Sequence, residues 1–338
     1  MNVGIAGCGL MGKQRAQAIC GSSWGRLVSV YDADAARALA LAQQYGCRAT
    51  GSLNDLLNDE VDAVIVAVPH FLSHDTTAAA LQAGKHVFCE KPVGMTAAEC
   101  RDLISRRRGG QVLTAGFNYR FYPGVRQAQQ MIRNGDIGVL THVRSVLGHG
   151  GRPGMENEWK TSKQLCGGGA LLDPGIHVLD LVRHIAGEYD DVTGSLARTF
   201  WPVDVEDNAF ITARTKMGVH AQLHISITEW KSRFSLDFFG TDGCIRVRGR
   251  SGFYGPQVVS YNKRWEWLHP EFSETVTEYP PQDTSFADEL SAFASTVAGV
   301  PSPDLGRPED CLRLLEIMEH IYDTTPVSSV EASMVAAR

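Results

Sequence analysis

Apolar positions in the first third of the chain alternate between two periods. Short apolar runs fall at 2–6, 27–31, 61–68, 86–89 and 112–117. Between them, apolar residues recur at helical spacing over 14–20, 33–45, 53–58, 73–83 and 97–107. Alternating strand and helix units predict a parallel sheet with helices on both faces. The run VDAVIVAV is apolar at both parities, as a central parallel strand must be. Ser52-Leu53-Asn54-Asp55 has the form of a helix start, and Gly84 stands where a helix C′ residue belongs.

After residue 120 the pattern changes. GVRQAQQMIRNG reads as a helix and VLTHVRSVLGHG as a strand. A polar, glycine-rich loop follows, and a helix from Pro174 to about Ala186 comes next. From 190 to 248 strands succeed one another without helices between them, which predicts an antiparallel sheet. Residues 250–284 read as turn-rich and aromatic, and helices over 286–298 and 308–322 close the pattern. The expected fold class is α/β: a doubly wound Rossmann sheet over 1–120, then an α+β domain over 121–338 with an open, mostly antiparallel sheet.

A chain of 338 residues suits two domains. Its net charge of −6 argues against a nucleic-acid or anionic-membrane partner, since both need a basic surface. The eight cysteines are scattered, none in a CxxC pair and none with histidines at zinc spacing, so no metal is expected. Reduced thiols, no apolar run near the roughly 18 residues of a membrane span and no leader pattern predict a cytoplasmic protein.

Gly7-Cys8-Gly9-Leu10-Met11-Gly12 is GxGxxG between the strand VGIA and the helix KQRAQAI. That context gives the glycines a task. Gly7 permits a tight turn, Gly9 lets a pyrophosphate approach the backbone, and Gly12 lets helix and strand pack. The helix N-terminus adds free N–H groups and positive potential. Asp32 ends the second strand twenty residues on, where a carboxylate bonds ribose hydroxyls and repels a 2′-phosphate. NAD is therefore expected over NADP.

Glu90-Lys91-Pro92 closes the fifth strand. Ligands of open parallel sheets sit beyond the carboxyl ends of the strands, which turns Glu90 and Lys91 toward the cofactor. The stiff Lys91-Pro92 pair is expected to aim the lysine through a cis bond. Farther on, Gly167–Gly169 precede Asp173-Pro174, an N-cap plus N1 pair. Asp173 and His177, four apart, would share one helix face, and the glycines would let a substrate reach the backbone.

The glycine loop, the block AVPHFLSHDTTAAALQAGKHVFCEKPVGMT and the block GGGALLDPGIHVLDL together resemble the Gfo/Idh/MocA oxidoreductases, over nearly the whole chain. The resemblance implies NAD(P)-dependent chemistry on sugars or cyclitols. It makes Lys91 a neighbour of both cofactor and substrate, and Asp173 and His177 the Asp and His of a DxGxH motif. Pro69 matches the end of the family's fourth strand near the adenosine. His70 stands where asparagine is usual and Val68 where threonine is, and His74 matches a histidine often found four residues on.

The chemistry that follows is oxidation of a secondary alcohol. His177 is suited to exchange a proton near neutral pH; Lys91 would stabilise the developing alkoxide, and Asp173 would bond substrate or tune the histidine. Which of Lys91 and His177 is the formal base stays open. Arg152, Trp159 and Lys160 on the glycine-rich loop, and Asn118, Arg120 and Tyr122 after strand six, are the candidate substrate contacts. An unphosphorylated sugar, glycoside, aminosugar or cyclitol is expected. The alternatives are a ketoreductase acting on a nucleotide-linked ketosugar and a non-catalytic cofactor-binding regulator. A homodimer or homotetramer through the second sheet is expected, with Phe210, Ile211, Leu223, Ile225 and Phe238 as its face.

Overall fold

A computed structural model describes residues 1–329 apart from 59 and 273, and in it the chain forms two compact units. The first contains 1–121, 164–167 and 284–316; the second contains 122–163, 168–283 and the described residues from 317.

In the first unit, β1 (Asn2–Ala6), β2 (Arg26–Tyr31), β3 (Arg48–Ala49), β4 (Ala63–Val66), β5 (His86–Glu90) and β6 (Leu113–Gly116) form one parallel sheet. Its order is β3-β2-β1-β4-β5-β6. The reversal between β1 and β4 is the switch point where such sheets bind nucleotides. The connecting helices are α1 (Leu10–Cys20), α2 (Ala35–Tyr45), α3 (Leu53–Leu56), α4 (His70–Gln82) and α5 (Ala97–Arg106). All four residues of β4 are buried, as its unbroken apolar run predicts. The short helix α7 (Lys163–Cys166) lies almost wholly in the 164–167 segment.

Residues 284–316, which the sequence reading gave to the second domain, cluster with the first unit. They carry α9 (Ser285–Val297) and the start of α10 (Pro308–Thr324). The cause is apolar. Leu290, Phe293 and Leu305 join the core with Val3, Ile5, Ile19 and Phe88. The rings of Phe88 and Phe293 meet edge to face at 5.7 Å.

The second unit is built on a nine-stranded sheet. In chain order its strands are β7 (Leu140–Gly148), β8 (Tyr189–Arg198), β9 (Asn208–Thr215), β10 (His220–Ser226), β11 (Arg233–Gly240), β12 (Gly243–Arg248), β13 (Val258–Lys263), β14 (Thr275–Glu278) and β15 (Ser328–Ser329). They are ordered β14-β13-β12-β11-β7-β10-β9-β8-β15. Pairing is antiparallel except at β7–β10 and β8–β15. The helix α8 (Gly175–Ala186) packs on β7, β9 and β10, and α6 (Pro123–Asn134) packs on β12 and β13.

The helices cover one face of this sheet, which corrects one expectation. Ile211, Leu223, Ile225 and Phe238 are buried, so they cannot form an oligomer face; only Phe210 is exposed. The open face instead shows stacked pairs, Phe210 on His224 at 4.3 Å and His142 on Phe239 at 4.4 Å. Strands β13 and β14 fall inside the stretch read as turns. They lie at one edge of the sheet, where β14 has no buried residue and no apolar alternation to announce it.

Candidate active site

The glycine loop is shaped for a dinucleotide. Gly7 has φ +96°, and a Cβ there would overlap the Ala67 carbonyl. A Cβ on Gly12 would overlap the Gly7 carbonyl, so this glycine closes the helix onto the turn. Gly9 differs: nothing lies within 4 Å of where its Cβ would be. Gly9 is also the N-cap of α1, without a side-chain cap, so the first N–H groups of that helix keep their role for an anion. Leu10, 74% exposed, stands on the open side of the loop, and Met11 is half-buried beside it.

Asp32 is tied to this loop. Its carboxylate accepts from the backbone N–H of Cys8 at 2.7 Å and of Asp34 at 2.8 Å. Capping of α2 falls to Asp34, which accepts from Ala36 and Arg37, so Asp32 is not used as the cap. The loop and carboxylate together fit a dinucleotide.

Pro69 caps α4 and His70 opens it. His70 is buried, with Nδ1 at 3.0 Å from the Cys166 carbonyl oxygen. His74 lies one turn on, and carboxylates flank both its ring nitrogens: Asp75 and Asp102, each at 2.8 Å. A nucleotide contact by His74 would have to break one of these bonds.

At the end of β5 the Lys91–Pro92 bond is cis. Glu90 accepts from Arg15 Nε at 2.6 Å, and Arg15 NH2 meets Glu289 of α9 at 2.7 Å. Arg15 and Glu289 are fully buried, and the guanidinium lies 4.3 Å from the Phe88 ring centroid. Burial pushes the Glu289 carboxyl up to about 7, against the pull of Arg15 and with the push of Glu90. This clasp joins residues far apart in the chain, and only Arg15 bears a local sign of it. Gly12, Arg15, Ala16 and Ile19 are the buried residues of α1, so Arg15 stands on the apolar stripe of its own helix.

Asn118 and Arg120 lie in the first unit. Both are buried. Asn118 donates to Ser285 at 2.9 Å, and Arg120 pairs with Asp310 at 3.2 Å. Tyr122, in the second unit, accepts from Arg250 at 3.3 Å.

In the second unit the start of α8 gathers the remaining candidates. The helix begins at Gly175 with Pro174 as N-cap, so Asp173 lies in the turn before it and does not cap. Its carboxylate instead accepts from Lys160 Nζ at 2.8 Å. Lys160 lies 5.6 Å from the Trp159 ring centroid, and Arg152 is held by Glu158 at 2.5 Å. His177, in the first turn of α8, is buried. The structure thus brings Asp173, Lys160 and Trp159 together at the helix that carries His177.

His149, at the end of β7, was not singled out by sequence. Its Nδ1 accepts from the Gly151 N–H at 3.0 Å, which leaves the proton on Nε2. Burial pushes this imidazole down; Asp173 pulls it up, and Arg250, Lys160 and Arg152 push it further down.

The glycine run before Asp173 has a different use from the expected one. A Cβ on Gly168 would overlap the Tyr322 hydroxyl, and one on Gly169 would overlap the Glu206 backbone. The protein itself fills the space expected for substrate. Among the described residues no group of His, Cys, Asp and Glu could hold a metal, and no helix is long and apolar enough to cross a membrane.

Comparison with known proteins agrees with both units. Residues 1–117 match the oxidoreductase family with an NAD-binding Rossmann fold, and residues 125–246 match the GFO/IDH/MocA C-terminal domain. The 2,7-anhydro-N-acetylneuraminate hydratase of Escherichia coli K12 is 30% identical over 274 residues, 74% of this chain and 71% of that one. The D-glucoside 3-dehydrogenase of the same strain is 35% identical over 197 residues, 55% of this chain and 54% of that one. Among solved structures, the 3-ketoreductase KijD10 of Actinomadura kijaniata, in complex with NADP and TDP-benzene, superimposes with a TM-score of 0.83. That match covers 98% of this chain and 99% of that one at 22% identity.

Proposed function

The chain belongs to the GFO/IDH/MocA family of NAD-binding oxidoreductases, and from that premise we propose that it oxidises a secondary hydroxyl of a sugar, glycoside, aminosugar or cyclitol. The observation that carries the reading is the glycine loop. Gly7 and Gly12 are needed by the fold, whereas Gly9 leaves open space at the N-terminus of α1. Bound NAD supplies the hydride acceptor.

The chain's own residues then bind, orient and move a proton. Asp32 favours ribose hydroxyls over a 2′-phosphate. Lys91 donates to the reacting oxygen and stabilises its developing charge. His177 takes the hydroxyl proton. Asp173, held by Lys160, bonds a neighbouring hydroxyl, while Trp159 and Arg152 meet the rest of the ring. The second reading, reduction of a ketosugar, uses the same residues with the proton moving the other way. One E. coli relative is named for a hydration rather than a net oxidation.

The test is a panel of inositols, glycosides, aminosugars and nucleotide sugars, scored by NADH formation with NAD and by ketone reduction with NADH. Activity confined to a nucleotide-linked ketosugar favours the second reading. Tight NAD binding with no turnover of any polyol or ketosugar favours a regulator. His177→Ala and Lys91→Met should each lower kcat by about a hundredfold or more; wild-type turnover in His177→Ala removes its role. A clear NADP preference removes the role of Asp32. We also assign self-association, as a dimer or tetramer, to the open face of the second sheet.

A further inference from the structure

Glu206 lies just before β9, far in sequence from the residues proposed to act on substrate. It is 2% exposed. Its Oε1 accepts from the N–H of Gly169 at 3.1 Å, the N–H of Leu171 at 2.9 Å and the hydroxyl of Tyr322 at 2.8 Å. Its Oε2 accepts from the Gly169 N–H at 3.1 Å. The backbone joins in, since Ala170 N–H donates to the Glu206 carbonyl at 2.9 Å. Three consecutive residues of the turn, Gly169 to Leu171, are therefore held by one glutamate.

That turn leads directly into the Asp173 group. Asp173 N–H donates to the Gly169 carbonyl at 3.0 Å, and Gly175 N–H donates to the Ala170 carbonyl at 2.9 Å. The residues gripped by Glu206 thus fix the Asp173 backbone and the first residue of the helix bearing His177. A buried carboxylate is costly unless its oxygens are satisfied, and here the turn satisfies them. Burial pushes the Glu206 carboxyl up, while the Leu171 N–H and the Tyr322 hydroxyl hold it down. The glycines follow from the same arrangement, because side chains at 168 and 169 would overlap Tyr322 and Glu206.

We infer that Glu206 is a positioning residue: it fixes the turn 169–171, and through it the aim of Asp173 and His177. This rests on the proposed roles of those two residues. It differs from a plain structural role in that it predicts lost turnover in molecules that are fully folded.

Two substitutions separate reach from charge. Glu206→Asp keeps the charge but draws the carboxylate back by one methylene from the turn N–H groups. Glu206→Gln keeps the reach and an acceptor but loses the charge. Per folded molecule, well below the melting temperature, kcat of Glu206→Asp should fall about tenfold or more. Its NAD Kd should stay within about twofold, and Glu206→Gln should stay within about threefold of wild type in kcat. The reverse order, or wild-type kcat in Glu206→Asp, overturns the inference. If neither variant folds, Tyr322→Phe removes one donor and should lower kcat about threefold at unchanged NAD affinity; unchanged kcat there overturns it.

A readout without activity keeps this apart from the proposed function. Amide hydrogen exchange over 168–177 should quicken in Glu206→Asp while 178–186 keeps its protection. Uniform exchange across α8 overturns the inference even if no substrate is ever found. Faster exchange over 168–177 in an enzyme that turns over no polyol sustains the grip on the turn and sinks only the proposed function.

Discussion

At the scale of single residues, Gly9 and Gly12 make opposite predictions. Gly9→Ala adds a methyl where nothing lies within 4 Å, at a φ of −70° that alanine adopts freely. The free protein should keep its melting temperature, while the NAD Kd, read by fluorescence titration, should rise about tenfold or more because the methyl stands in the pyrophosphate's place. Gly12→Ala should instead lower the melting temperature of the free protein, since its Cβ overlaps the Gly7 carbonyl. Equal thermal shifts in both variants would remove the distinction. Glu289 adds a pH effect. Its folded pKa, about 7, is raised above the ordinary carboxylate value. Below about pH 4.5 both states are protonated and nothing is lost; between there and 7 the unfolded state releases its proton first, so stability falls as pH rises. Glu289→Gln should flatten that fall in urea titrations from pH 5 to 8; an unchanged slope would place its origin elsewhere. The glycine loop was legible because its task is local and carries a spacing. Glu289 and Glu206 were not, because each meets its partners across a long stretch of chain, and an isolated glutamate in sequence looks solvated.

At the scale of elements, α4 and α5 are pinned by a charge. His74 of α4 bonds Asp102 of α5, which also holds Arg106 at 2.5 Å. Burial lowers the His74 pKa, but its bonds to Asp75 and Asp102 and the nearby Glu99 outweigh that and raise it. The stabilisation is therefore complete below the unfolded value near 6.5 and is lost as pH rises through the raised folded value. His74→Gln should lower the melting temperature at pH 6 by on the order of 1–2 °C and leave it nearly unchanged at pH 9. A pH-independent loss would count against the ion pair. Helices and buried strands were readable because their apolar periods repeat. The N-cap of α8 was misread because Asp173-Pro174 has the right composition, but the Lys160 ammonium competes for the carboxylate and the helix starts later. Strand β14 was missed because an edge strand with no buried residue shows no apolar alternation, and β13 beside it because its burial pattern does not alternate.

At the scale of the whole molecule, the open sheet face carries the proposed self-association. Phe210, His142, His224 and Phe239 form flat stacked pairs there. Phe239→Glu should shift the species seen by light scattering to a smaller mass without lowering NAD affinity; an unchanged mass would move the interface elsewhere. The sheet itself was legible as consecutive strands, but the parity of its faces was not, because Phe210 and Phe238 look alike in sequence and face opposite ways. The first unit has a further consequence, in time. Its core needs Leu290, Phe293 and Leu305, and its buried Arg15 needs Glu289, all from beyond residue 284. A ribosome that has released residue 121 must add nearly two hundred more before those groups emerge, about ten to forty seconds at usual elongation rates. The nucleotide-binding unit thus waits on groups made nearly two hundred residues after residue 121, and through that interval its unfinished apolar surface is open to chaperones or to misassembly.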